Sequence, residues 1–341
     1  MAKAKTILKY GVSLILLVIS IYLTVDGIDF KKLYSAILNI DYFWVIAPLP
    51  IVVLSHLMRA IRWKLLLSPF HKANSVLNLF SATMVGYLFN NVSPRGGELV
   101  RPYIYSKREK VSYSSTFATI LVERILDLIT LGVLIAVVLS WNSEQVLKAF
   151  PEDTDPMKLV IISAVILLLM FFSLYPPTIK FFLEKIIKPV SEKIYLKLAD
   201  LFDKFRQGFA IIKRPSKYAR IAVESLFIWI LYALPLYLLF FAFGFENSYS
   251  LGLEDALLLV IVSGIGVTIA PTPGAIGVYH YLVTTALVQL YGIDSETGLA
   301  YATVAHAASK LMELLLGGLF FIRENIKEIP SEQDLEKNII S

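Results

Sequence analysis

Asn91-Val92-Ser93-Pro94-Arg95-Gly96-Gly97-Glu98, with Arg101 shortly after, interrupts an apolar run of only about fourteen residues. Crossing roughly 30 Å of hydrocarbon takes about 20 apolar residues per helix, so the run from 76 to 93 is too short to span. Proline removes a helical N–H and glycine admits left-handed backbone, so one helix ends here and another begins. A second stretch repeats the break: Pro271-Thr272-Pro273-Gly274-Ala275-Ile276-Gly277 splits the long run from 256 to 291. Broken backbone at membrane depth is tolerated only where protein or a water-filled cavity satisfies its freed groups. Both segments therefore read as re-entrant helical hairpins, over about 76–105 and 256–291.

Composition puts these breaks in a bilayer. Of 341 residues, 57% are apolar and 17% charged, and the mean hydropathy is strongly positive, outside the make-up of soluble domains. Further apolar runs lie at about 7–25, 42–58, 115–140, 158–175, 219–244 and 298–322, which leaves no room for a large soluble domain. The first is too long for a signal-peptide core and lacks a small-residue cleavage site, so it reads as a retained helix. The net charge of +5 reports loop orientation, not nucleic-acid binding. With no cysteine, disulfides, thiolate nucleophiles and cysteine metal sites are excluded.

Charge placement sets the expected topology. Lys3, Lys5 and Lys9 hold the N-terminus in the cytoplasm, and Asp26, Asp29 and Asp41 mark the next connection as external. Arg59, Arg62, Lys64 and Lys72 precede the first hairpin, and Arg95, Arg101, Lys107, Arg108 and Lys110 follow its break. Basic flanks on both sides fit a hairpin that enters and leaves from the cytoplasm. Glu246, Glu254 and Asp255 before the second hairpin, with Asp294 and Glu296 after it, place that one outside. The expected protein is all-α, with six full spans and two hairpins. A first half (1–157) and a second half (158–322) each hold three spans and one hairpin, the pattern of an inverted repeat, and 323–341 form a short cytoplasmic tail. Between the halves, 178–217 carries Leu198, Leu201, Phe202, Phe205 and Phe209 on one helical face and suits either the leaflet surface or a cytoplasmic helical hairpin.

Ionisable groups inside a membrane segment are functional candidates by default. The first hairpin offers Asn91, Arg95, Gly97, Glu98 and Arg101; its restarting helix, with exposed N–H groups and two arginines, suits an anionic headgroup, phosphate above all. Pro94 and Gly96 set the turn. Glu123, Arg124 and Asp127 follow in the next span; Arg124 reaches Asp127 at i,i+3, which leaves one acid for Arg95, Arg101, Lys310 or a coupled proton or cation. His306, Lys310 and Glu313 share a face of the last helix and, with His280, form a candidate proton relay or second phosphate contact. The second hairpin's Pro271, Pro273, Gly274 and Gly277 are uncharged and read as shape. No histidine pair has ligand spacing and no Ser/His/Asp arrangement is visible, so no metal, cofactor or hydrolase is expected.

These stretches resemble the lysylphosphatidylglycerol synthase transmembrane-region family of flippase-like membrane proteins. The resemblance rests on Arg59, Arg62 and Trp63, the Asn91–Arg101 hairpin, Glu123 with Arg124 and Asp127, and the Pro271–Gly277 hairpin, and it covers about 59–322. It implies a module that moves lipid between leaflets. In some members the module is fused to a cytosolic aminoacyl-transferase domain, and some stand-alone archaeal relatives are linked to dolichol-phosphate sugar metabolism. The chain stops about twenty residues after the last helix, so the transferase domain is expected to be missing. Where many relatives carry a glutamate, His280 stands.

The resulting expectation is a flippase of the cell membrane, both termini cytoplasmic, that moves an anionic phospholipid or polyprenyl phosphate. Its partners are membrane lipids, with self-assembly left open. A membrane glycosyl or aminoacyl transferase using Glu98, Glu123 or Asp127, and a small-anion transporter, are the rivals.

Overall fold

The computed structural model describes residues 2–72, 75–141, 181–192, 214–270 and 272–325, with a few isolated positions besides. The expected span at 158–175, save Ile161, and about half of the 178–217 segment, Leu201, Phe202, Phe205 and Phe209 among it, lie outside the described residues, as does Pro271. The described chain is helical and holds no strand. In chain order the main elements are α1 (Ala2–Val25), α2 (Phe30–Leu38), α3 (Phe43–Ile46), α4 (Leu49–Leu67), α5 (Val76–Val92), α6 (Gly96–Glu109) and α7 (Tyr113–Trp141). They continue as α8 (Tyr218–Phe243), α9 (Leu253–Ile269), α10 (Val278–Tyr291) and α11 (Ser295–Glu324). The protein is a polytopic α-helical membrane protein. Among the described residues, Phe43–Leu67, Pro215–Phe243 and Ser295–Glu324 are long and apolar enough to cross a bilayer. α1 and α2, bent 85° to each other, add a fourth when taken as one span. α7 has 29 residues, about 43 Å at 1.5 Å per residue, and is also long enough.

The two broken segments are paired helices of matching size. α5 and α9 have 17 residues each, and α6 and α10 have 14 each. Arms of about 25 and 21 Å fall short of a full crossing. In the first pair the backbones touch: a Cβ on Gly97 would overlap the Gly86 carbonyl oxygen, and one on Gly86 would lie 2.9 Å from the Arg101 Cβ. Left-handed backbone turns each tip, at Arg95 (φ 59°) in the first and at Gly274 (φ 60°), Ala275 (φ 62°) and Gly277 (φ 80°) in the second.

α11 shows how the hairpins are set against each other. Near its start Gly298 faces Thr284 and Leu287 of α10, and further along His306 meets His280, ring centroids 4.7 Å apart. Then Glu313 meets Asn91, Gly317 faces Leu88 and Met84, Phe320 packs on Phe80, and Glu324 accepts from Ser81 near the base of α5. The hairpins therefore lie along one helix, enter from its opposite ends and meet tip to tip. Each has its own apolar core. One surrounds Trp63, Leu66, Leu79, Met84 and Tyr105; the other surrounds Phe240, Phe245, Leu259, Val283 and Tyr301.

Two elements differ from expectation. The second span does not stop near residue 58: α4 runs on to Leu67, with Arg59, Arg62 and Trp63 buried inside the bundle rather than on a cytoplasmic flank. Hydropathy ends the helix there because arginine is costly in hydrocarbon; pairing removes that cost. α2, which the sequence reading passed over, is capped by Asp29 through the N–H groups of Lys31 and Lys32. It leaves Phe30, Tyr34 and Leu38 exposed, a face suited to the membrane interface.

Candidate functional site

α4, α6 and α7 converge on a buried ionic cluster in the half of the molecule that holds the first hairpin. Arg59 and Arg62 stand three residues apart on α4, so both face α7. Glu123 and Asp127 stand four apart on α7 and face back. Arg59 donates from Nε (3.0 Å) and Nη2 (2.5 Å) to Glu123 Oε1, from Nη2 to Asp127 Oδ2 (3.0 Å) and from Nη1 to the Tyr232 hydroxyl (3.0 Å). Arg62 donates to Asp127 Oδ1 (2.5 Å) and to Ser225 Oγ (2.9 Å). Arg101, from α6, donates from Nη1 to the same Glu123 Oε1 at 3.0 Å. Its guanidinium lies 4.1 Å over the Trp63 ring, and Trp63 is fixed in turn by its Nε1–H donating to Thr119 Oγ1 at 2.8 Å. Arg62 and Glu123 are each 0% exposed and Arg101 5%.

The cluster carries more positive than negative charge. Arg59, Arg62 and Arg101 face Glu123 and Asp127, while the more exposed Arg124 pairs with Glu98 at 3.2 Å and with Asp127 at 3.7 Å. Arg101 Nε and Nη2 are buried with no hydrogen-bond partner among the described residues. A desolvated guanidinium with two idle donors is a strained state, since leaving a buried charged donor unpaired costs more than about 1–3 kcal/mol. Arg101 also lines a narrow cleft between α5, α6 and α7 bounded by Gly97, Glu98 and Arg124, with a cavity volume of about 20 Å³. That is room for about one water, far below the ~300–1,000 Å³ typical of small-molecule sites.

The sequence candidates sort into two groups. Glu98, Arg101, Glu123, Arg124 and Asp127 belong to this cluster, together with Arg59, Arg62 and Trp63. The leftover acid, Glu123, is held by Arg59 and Arg101 rather than by Arg95 or Lys310. Asn91, His280, His306, Lys310 and Glu313 lie instead at the meeting of the tips. His306 Nε2 is 2.8 Å from the Gly274 carbonyl oxygen, and Glu313 Oε2 accepts from Lys310 Nζ (2.8 Å) and Asn91 Nδ2 (3.0 Å). Arg95 is exposed and donates to the Thr268 carbonyl oxygen of the other hairpin at 2.6 Å. The N–H groups opening α6 are already used: Gly96 donates to Ser93 O, Gly97 to Asn90 Oδ1 and Glu98 to Arg95 O. The expected backbone cradle for an anion is thus filled by the chain itself; among the described residues the buried guanidinium nitrogens without a hydrogen bond are Nε and Nη2 of Arg101 and Nε of Arg62 and of Arg124, beside an equally unpartnered Glu123 Oε2.

Sequence reasoning missed Tyr87, Ser225 and Tyr232 as members of this network. Single hydroxyls in apolar helices carry no pattern, and only the positions of their helices bring them to Arg59 and Arg62.

Comparison with known proteins adds the following. The family model described as the lysylphosphatidylglycerol synthase TM region matches residues 7–317. A UPF0104 membrane protein of Pyrococcus horikoshii is 25% identical over 92% of this chain and 95% of its own length. The glycosyltransferase AglD of Haloferax volcanii is 23% identical over 89% of this chain but only 52% of its own length. A UPF0104 membrane protein of Methanocaldococcus jannaschii is 30% identical over 35% of this chain and 38% of its own.

Proposed function

Because the chain belongs to the lysylphosphatidylglycerol synthase transmembrane-region family, we propose that it moves an anionic lipid between leaflets, with Arg101 and Arg124 taking the phosphate of the headgroup. The observation that carries this reading is Arg101, buried in a cluster with surplus positive charge and with two donors unpaired beside a cleft. A phosphate oxygen would satisfy those donors through charge-assisted bonds. The cleft is smaller than a lipid headgroup site, which fits a closed state that widens when the hairpins part.

On this reading the partners are membrane lipids, an anionic phospholipid or a polyprenyl phosphate. The protein works in the cell membrane with both termini in the cytoplasm and the first hairpin open to that side. The equal arms of the two hairpins and their opposed entry along α11 favour alternating access through related halves. Self-association is compatible with it.

A transferase is the second reading, favoured by the relative named a glycosyltransferase, of which this chain matches 52%. Against it, Glu123 and Asp127 are held by three arginines, and a carboxylate so engaged is a poor general base. Reconstitution into liposomes decides between them. Fluorescent anionic phospholipid should cross between leaflets at least about tenfold faster with the protein than without, whereas Arg101→Gln should remove most of the gain, a loss of about 1.4 kcal/mol or more. No acceleration for any anionic lipid, with turnover of an activated sugar or aminoacyl donor, would replace this reading with the second.

A further inference from the structure

Charge in the arginine cluster does not balance. Arg59, Arg62, Arg101 and Arg124 are joined through Glu98, Glu123 and Asp127, four arginines against three carboxylates. Arg101 stands between two environments. Its Nη1 donates to Glu123 on one side, while its Nε and Nη2 are buried with no hydrogen-bond partner among the described residues. The residue lines the cleft between α5, α6 and α7. Arg124, from the same lining, adds a buried Nε that also makes no hydrogen bond, although Glu98 Oε1 is 3.2 Å away. Glu123 Oε2 lacks a partner too, but Glu123 does not line the cleft, which presents two guanidinium groups and the one carboxylate of Glu98. A buried guanidinium short of counter-charge is costly. An anion of fitting size removes that cost.

Size selects the ion. The cavity volume is about 20 Å³, where one water needs ~10–15 Å³. A monatomic anion, little larger than water, fits this space; phosphate or sulfate, with five heavy atoms, does not. α5 and α6 cross at Gly86 and Gly97 with no room for a Cβ on Gly97, so the wall they make is fixed while these arms stay together. The other polar groups of the lining do not take up the arginine donors. Thr83 turns its hydroxyl to the Leu79 carbonyl at 2.8 Å, and Asn90 Oδ1 accepts from the Gly97 N–H at 2.9 Å, so the donor end of its amide is the one left toward the lining.

We propose that this cleft is a chloride site, in which Arg101 and Arg124 hold one halide ion as the counter-ion of the closed state. Nε and Nη2 of Arg101 donate to it through charge-assisted hydrogen bonds. A water molecule, the other occupant of the right size, would satisfy those donors and leave the charge. The site deepens the headgroup reading and rests on the same two arginines: chloride fills the place that a headgroup phosphate takes once the hairpins part.

The test reads the ion itself. ³⁵Cl NMR of the full chain in non-ionic detergent micelles, with gluconate replacing chloride at constant ionic strength, should show a saturable excess line width that bromide displaces. Arg101→Gln should weaken chloride binding at least about tenfold through the lost charge-assisted bonds, whereas Lys107→Gln, an exposed cation of the same helix, should leave it unchanged. Glu98→Gln removes the one carboxylate of the lining and should tighten binding about tenfold; it carries the test should Arg101→Gln fail to fold. Excess width that does not saturate, or an affinity unmoved by Glu98→Gln or by a folded Arg101→Gln, would overturn the chloride site. Lipid movement in liposomes made in gluconate, free of chloride, reads the headgroup assignment separately, so the two can fail one without the other.

Discussion

The two hairpins share arm lengths of 17 and 14 residues and left-handed backbone at the tip, yet they are held in different ways. The first is fastened by charge: Arg101 and Glu98 tie α6 to α7, while Arg108 and Ser81 bind Glu324 at its base. The second is fastened by shape. Gly277 turns so close to Ser20 of α1 that a Cβ would overlap its hydroxyl, and Asp255 accepts from Tyr291 at 2.8 Å to close the base. One architecture thus serves two tasks. On the proposed reading the ionic fastening gives a surface suited to an anion, and the close-packed fastening gives the opposing wall its shape.

Breaking the charge fastening should have the largest effect. Glu123→Ala leaves Arg59 and Arg101 without their shared acceptor in a dry site, and truncating one member of a buried ion network costs about 3–5 kcal/mol. Thermal unfolding in detergent should show most of the protein unfolded at temperatures the native chain survives. A melting curve unchanged by Glu123→Ala would show that water reaches the cluster and screens it.

The helix crossings sharpen the comparison at a lower level. Gly97→Ala sets a methyl group against the Gly86 backbone, which cannot yield, and should cost about 1–3 kcal/mol. In the second hairpin Gly266→Ala meets Leu282, the end of a flexible side chain, and should cost less. Parallel stability measurements on the two variants that gave the reverse order would remove the distinction between a hairpin locked by backbone contact and one whose neighbours can repack. At the tip, Arg95→Ala removes one exposed bond to Thr268 and should shift stability by no more than about 0.5 kcal/mol.

The breaks themselves were plain in the sequence. Asn91–Glu98 and Pro271–Gly277 combine proline, glycine and too few apolar residues, and the structure turns α5 into α6 and α9 into α10 at those places. Glu123 and Asp127 were also legible, as acids one helical turn apart in a span. What the sequence hid was the company they keep. Arg59 and Arg62 looked like cytoplasmic flank because a hydropathy reading has no term for a counter-ion delivered from residue 123 or 127. Arg95 and Arg101 read alike as anion ligands; only the fold shows Arg95 tied to the second hairpin while Arg101, about a turn and a half into α6, keeps donors without a partner among the described residues.

Binding of lipid to purified protein, followed by native mass spectrometry, tests the headgroup assignment most directly. An anionic phospholipid should be retained over a zwitterionic one of the same acyl chains. Arg101→Gln should erase at least about tenfold of that preference, about 1.4 kcal/mol, while Arg95→Gln leaves it in place. Equal retention of the two lipids by the native protein, or a preference that survives Arg101→Gln intact, would contradict it.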